Sequence, residues 1–215
     1  MDIHRSEEEQ VEALKRWWDR NGRAVIVGVV VFVALVLGWR GWVEYRQDQS
    51  QAASITYERM LGAAESGRTA KAREHGRNLL GDYAGTPYAG LAGLYLARLA
   101  VDEGKLEAAA GHLRWVMENA EMAGVAHTAR VRLARVVHSQ GEAEKALGIL
   151  GQQAPAGFEG VYAEARGDIL AAQGDAAGAR EAYARALEAY EEAPMQRSFV
   201  RMKRQDLAAA EESEG

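Results

Sequence analysis

The sequence predicts an all-α chain in which an N-terminal transmembrane helix is followed by an α-solenoid. Three observations carry that expectation: one stretch is free of charge for sixteen residues, glycines recur at near-constant spacing through the rest of the chain, and the composition is helical. In 215 residues there are 23 glycines but 3 prolines, and alanine supplies much of a hydrophobic fraction of 48% while aromatics make up 7%. Charge and cysteine usage add exclusions. Lys and Arg number 26 against 31 Asp and Glu, a formal charge of -5, so no overall positive field exists to hold a phosphate backbone and nucleic acid is not an expected partner. With no cysteine, a disulfide scaffold and a thiolate-ligated metal are both ruled out.

The uncharged stretch runs from Ala24 to Trp39. As a helix it measures about 24 Å, and extension through Gly41, Trp42 and Val43 reaches the ~30 Å of a hydrocarbon core if the Arg40 guanidinium snorkels to the headgroups. Trp17 and Trp18 at one end and Trp39, Trp42 and Tyr45 at the other fit the aromatic belts of a spanning helix. A buried core helix would rarely be apolar all round in so small a chain. A cleavable signal peptide fits poorly as well, because the leader is long and acid-rich (Glu7, Glu8, Glu9, Glu12) and no small-x-small site directly follows the run. Within it, Ala24/Gly28 and Ala34/Gly38 have the spacing that admits a neighbouring helix, as chance in an Ala- and Gly-rich chain also produces.

Lys15, Arg16, Arg20 and Arg23 precede the span and Arg40, Arg46 and Arg59 follow it, so the short N-terminal side is expected to face the cytoplasm. The predicted organisation is a cytoplasmic leader over 1–22, a transmembrane helix over 23–43 and an outer domain over 44–215. Ser6 and Glu9 have capping-box spacing, followed by Val11, Leu14 and Trp17 at helical intervals. The leader is either an interfacial helix or the continuation of the span, and Asn21-Gly22 favours a break between the two.

Beyond the span the punctuation is periodic. Gly67, Gly104, Gly141 and Gly174 stand at matching turns separated by 37, 37 and 33 residues, the spacing of tetratricopeptide repeats, and each precedes an alanine-bearing helix. Glycine in a left-handed conformation would end the leading helix of each pair, and small residues in the trailing helix would let the pair pack closely. The repeat phase assigns Gly167, Ala179, Tyr183 and Ala186 to the core of the last unit, Leu133, Ala134, Val137, Ala146 and Leu150 to the third, and Leu96, Ala97, Ala100, Ala109, Leu113 and Val116 to the second. In the first unit Arg59 and Gly76 fall on normally large apolar positions, as in an atypical terminal repeat. Thr86-Pro87, Ala154-Pro155 and Ala193-Pro194 each precede a new helical stretch. Residues 196–210 read as a final helix that covers the last unit with Phe199, Met202 and Leu207.

No chemistry is written in the chain. His4, His75, His112, His127 and His138 lack ligand spacing, and no nucleophile elbow or phosphate loop appears. Catalytic, cofactor and metal residues are therefore expected to be none, and no small-molecule substrate is implied. A solenoid instead offers a face built from its leading helices, a surface for peptides or partner helices. Tyr57, Leu94, Arg98, Arg135, His138, Glu164 and Asp168 are the residues expected on it.

Gln10-Val11-Glu12-Ala13, Lys15, Trp17-Trp18, Asn21-Gly22, Gly38-Trp39-Arg40, Trp42, Ala53-Ser54 and Tyr57 together resemble the ancillary SecYEG translocon subunit family, the YfgM-like proteins. The resemblance covers essentially the whole chain; its juxtamembrane part is specific and its repeats are generic. It implies an inner-membrane protein of Gram-negative bacteria with a cytoplasmic N-terminus and a periplasmic repeat domain. It also implies association with the SecYEG channel and with the membrane-anchored chaperone PpiD, helping emerging secreted chains reach periplasmic chaperones. The family has no catalytic residues to carry over. On the residues alone, a scaffold for another envelope assembly and a regulator acting through the cytoplasmic leader stay open.

Overall fold

A computed structural model describes the backbone of residues 3–214 and the side chains of residues 9–207. The described residues form nine α-helices: α1 (Ile3–Glu65), α2 (Thr69–Asp82), α3 (Pro87–Asp102), α4 (Leu106–Asn119), α5 (Ala123–Ser139), α6 (Ala143–Leu150), α7 (Glu159–Ala172), α8 (Ala176–Ala189) and α9 (Pro194–Glu214). Two compact units divide at residue 49, Met1–Gln49 and Ser50–Gly215, with the last part of α1 belonging to the second.

In the first unit, α1 is the one helix among the described residues long and apolar enough to cross a membrane. Every residue from 26 to 48 is exposed, so within the first unit no described residue covers this part of the apolar stretch. Asn21-Gly22 does not break the helix as expected. Asn21 Nδ2 donates to the Trp17 carbonyl oxygen at 3.1 Å, four residues back, and Gly22 lies under the Trp18 indole, so both fit inside α-helical geometry. The helix also begins at Ile3, ahead of the start expected at Ser6, whose side chain lies outside the described ones.

The second unit is organised by its turns. Gly67, Gly104, Gly141 and Gly174 have φ of 69°, 71°, 85° and 80°, the left-handed region where a Cβ is penalised. At each, the glycine N–H donates to the carbonyl three residues back, and the next residue's N–H reaches five back: Arg68 to Ala63 at 2.8 Å, Lys105 to Ala100 at 2.8 Å, Glu142 to Val137 at 3.2 Å and Asp175 to Leu170 at 3.0 Å. This is the Schellman pairing, which satisfies carbonyls the helix end would otherwise leave unbonded. Four identical terminations produce four similar helical pairs, and α9 stands after them as an unpaired fifth leading helix. From α2 to α9 successive helices pack on one another, and the leading helices α3, α5 and α7 also touch.

All of the core positions that the repeat phase assigns to the second, third and fourth units are buried. Small residues let the helices approach: a Cβ on Gly167 would meet the Tyr183 ring at 2.5 Å, and one on Gly93 would strike Val116. Three details depart from expectation. In the first repeat, within the second unit, Met60 is buried and Arg59 is exposed, so the chain fills the large position one residue later and packs Ala53, Met60 and Ala63 with Leu79 and Ala92. Pro87 and Pro194 open helices, but Pro155 sits in a turn closed by Phe158 N–H to its carbonyl at 3.0 Å, and α7 starts only at Glu159. On α9 it is Val200 and Leu207, not Phe199 and Met202, that pack against Tyr183 and Ala186; Phe199 and Met202 are exposed, because the face that carries Lys203 turns inward.

The close approaches give opposite signs to two similar substitutions. Gly167→Ala forces a methyl into a ring held by a hydrogen bond, an overpacking cost of about 1–3 kcal/mol that outweighs the ~1 kcal/mol helix gain. Gly111→Ala meets open space inside α4 and keeps the gain of about 1 kcal/mol. Thermal unfolding of the full chain in detergent should rank Gly111→Ala above wild type and wild type above Gly167→Ala; the reverse order would contradict the packing.

Candidate functional site

The turn glycines set a register for the leading helices. Tyr57, Leu94 and Glu164 lie ten residues before their glycine, Arg98, Arg135 and Asp168 lie six before, and His138 lies three before. Positions related by four and seven residues share one helix face, so the predicted residues occupy equivalent places along the same face of the stack. The structure brings Leu94, Arg98 and Arg135 to one cavity and Glu164, Asp168 and Arg135 to one network. Tyr57 stands apart from both: its ring lies 5.6 Å from Tyr88, it packs on the core of the first repeat, and burial raises its phenol pKa. His138 is partly buried, and its Nδ1 has no hydrogen-bond partner among the described residues.

The α7 end of the face is closed by α9. Lys203 Nζ donates to Glu164 Oε1 at 2.8 Å and to Asp168 Oδ1 at 2.7 Å. The Tyr183 hydroxyl on α8 donates to Asp168 at 3.1 Å and the hydroxyl of Tyr190, the C-cap of α8, to Glu164 at 3.1 Å, while Arg135 approaches Asp168 at 3.5 Å. Two carboxylates thus hold three helices together through an ammonium and two phenols. Burial lowers the Lys203 pKa, but the hydrogen bonds and charges of Asp168 and Glu164 outweigh it and the net shift is upward. Tyr183 and Tyr190 are raised, first by burial and then by the neighbouring carboxylates, so both phenols are held protonated.

Between α3 and α5 the same face is open. A cavity of about 250 Å³ has Leu94, Ala97, Leu113 and Val136 at its floor. Arg98, Arg132 and Arg135 stand around it, beside the half-exposed Val101. Sequence reasoning missed Lys203 and Arg132. Lys203 was within reach, since it lies 35 residues after Asp168, one repeat period, and so falls where a fifth unit's equivalent residue belongs. Arg132 lies off the ten, six and three positions, and its role depends on how α3 and α5 meet.

In the first unit Trp17, Trp18, Trp39, Arg40 and Trp42 are all exposed, as residues in contact with lipid headgroups would be. Trp39 and Trp42 rings lie 5.5 Å apart, and the Arg46 guanidinium sits 5.4 Å from the Trp42 ring centroid, a cation over an aromatic face.

A tetratricopeptide repeat-like domain family profile matches residues 15–209, which takes in the apolar stretch as well as the repeats. A protein of Escherichia coli (strain K12) named ancillary SecYEG translocon subunit is 31% identical over 176 residues, 79% of this chain and 82% of that one. The chain belongs to the ancillary SecYEG translocon subunit family. Proteins of the same name from Haemophilus influenzae (27% identical over 166 residues, 77% of this chain and 81% of that one) and Neisseria gonorrhoeae (28% over 179 residues, 80% and 83%) are similar over the same extent. This member of the translocon subunit family therefore carries the family's fold together with one N-terminal apolar helix of anchor length.

The closed end of its face makes two expectations. Lys203→Ala leaves two carboxylates facing each other, and because the group keeps some solvent contact the loss should be about 1–2 kcal/mol, below that of a fully buried pair. A double-mutant cycle with Glu164→Gln should show coupling, and strict additivity would contradict the network. The raised pKa values of Lys203, Tyr183 and Tyr190 stabilise the fold below the ordinary values of 10.5 and 10.0, and that contribution is lost as pH rises through the folded values. Unfolding followed across this alkaline range should therefore show falling stability, with a shallower fall in Tyr190→Phe; an unchanged slope would contradict the assignment.

Proposed function

We propose that this chain is a non-enzymatic, membrane-anchored adaptor of the SecYEG translocon. In this reading α1 crosses the inner membrane with its N-terminus in the cytoplasm, and the repeats lie in the periplasm. The face built from the leading helices contacts a PpiD-like chaperone or an emerging secreted chain, assisting transfer to periplasmic chaperones. One observation carries the reading: an uncovered apolar helix precedes a repeat domain whose leading-helix face is open between α3 and α5, in a chain whose relatives are named as translocon subunits.

Each part has a physical reason. Four basic residues before the span favour a cytoplasmic leader, and a long following domain translocates largely regardless of its own charge. A tether to the membrane raises the effective concentration of a partner held in the same bilayer, so a weak contact suffices. The open face offers an apolar floor and guanidinium groups, the means of peptide binding, and no constellation suited to bond making.

A photoreactive residue in place of Arg98, activated in intact membranes, should crosslink to a SecYEG component, to a PpiD-like chaperone or to a secreted chain. Recovery of none of the three contradicts the proposal. Replacing residues 10–43 with an unrelated anchor should weaken co-purification with SecYEG; undiminished co-purification would remove the juxtamembrane segment from the account and favour a general envelope scaffold.

A further inference from the structure

The closed end of the leading-helix face shows how a covering helix is received there. At the position six residues before the turn glycine, α7 carries Asp168, and α9 answers with the Lys203 ammonium while burying Val200 beside it. At the equivalent position α3 carries Arg98 and α5 carries Arg135, the opposite sign. Beside them, among the described residues, lies not a covering helix but the cavity of about 250 Å³. The same geometry with inverted charge calls for an occupant with an apolar side chain and a carboxylate where α9 has Val200 and Lys203.

The state of the three guanidinium groups points the same way. Arg98 pairs with Asp102 at 3.8 Å with both side chains well exposed, a contact worth little that a better-placed carboxylate can replace. Arg135 shares Asp168 with Lys203 and Tyr183. Arg132 has no ion pair or hydrogen bond among the described residues. Cationic charge in excess of its local partners, above an almost wholly apolar floor, is a local reversal in a chain of formal charge -5. Arginine suits the task because its planar fork binds carboxylates in a bidentate manner and is weakly hydrated.

We propose that the cavity between α3 and α5 binds an acidic–apolar segment of a protein partner. A Leu- or Phe-sized side chain seats on Leu94, Leu113 and Val136, and flanking Asp or Glu side chains reach Arg98 and Arg132. The inference rests on the adaptor reading only in taking the partner to be a protein; it does not depend on which protein that is. Charge sets selectivity and apolar burial supplies the rest of the binding energy.

The test uses the full chain in phosphatidylcholine nanodiscs and a fluorescein-labelled peptide in which Leu and Phe are interspersed with Glu, read by anisotropy. Exchange of every Glu for Lys, or of Leu and Phe for Ser, should weaken binding by about tenfold or more. Arg98→Glu/Arg132→Glu should reverse the preference between the Glu and Lys peptides, and Arg98→Gln/Arg132→Gln should abolish it, both with unfolding temperature unchanged because these side chains are exposed. Equal binding of the Glu and Lys peptides by the wild type, or an unaltered preference in both double variants, overturns the proposal. Loss of peptide binding on adding phosphatidylglycerol to the nanodiscs would assign the arginines to lipid headgroups and overturns it as well. SecYEG co-purification is scored separately: retained co-purification without peptide selectivity sinks this inference alone, and selectivity without co-purification sinks the translocon reading alone.

Discussion

The constraint on which everything else depends is that α1 displays its apolar stretch to the outside. Eleven of the sixteen residues from Ala24 to Trp39 are Val, Leu, Ile or Phe, and from 26 to 48 every residue is exposed. In water that surface is a standing penalty; in a bilayer each such residue contributes roughly 0.3–0.6 kcal/mol towards insertion, on the order of 5 kcal/mol for the segment. Lipid is the environment that satisfies it. The second unit has a different character, with most of its large apolar residues packed in buried clusters between its helices.

Within that second unit a single backbone device is used four times. Each left-handed glycine ends a leading helix with the same pair of hydrogen bonds, and the fixed termination fixes which residues of the next helix turn towards the core. Position relative to the glycine then decides chemistry. Residues six before it carry Arg, Arg and Asp in successive units, and α9 adds Lys203 one period later. One end of the row is neutralised internally and the middle is left cationic above an apolar cavity. A repeat architecture produces such an address cheaply, because changing one side chain per unit alters the face without disturbing the turns or the core.

Most of the fold was legible because its signals are local. A spanning helix is announced by absent charge, and a Schellman turn by a glycine at a fixed offset from an apolar run. The register of the leading helices was legible too, since Leu94, Arg98, Arg135, Glu164 and Asp168 stand at fixed offsets from their turn glycines. What failed to show required knowledge of neighbours. Asn21-Gly22 reads as a turn, yet a side-chain bond to the Trp17 carbonyl and a covering indole keep it helical. On α9, Phe199 and Met202 have more apolar surface than Val200, but Lys203 reaches two carboxylates on α7 only when Val200 points inward, and the ion pairs fix the rotation of the helix. Met60 in place of Arg59 is a shift of one residue that a period of 37 does not resolve.

The central proposal is that a lipid-held helix leaves the repeat domain on the outer side of the membrane and the leader on the inner side. Because the chain has no cysteine, single cysteines report location without background. The most direct measurement labels Gln10→Cys and Ser139→Cys with a membrane-impermeant maleimide in spheroplasts. Labelling of Ser139→Cys in intact spheroplasts, with Gln10→Cys labelled only after lysis, is the result this account predicts. The inverse pattern, or recovery of the chain in the soluble fraction, would contradict it.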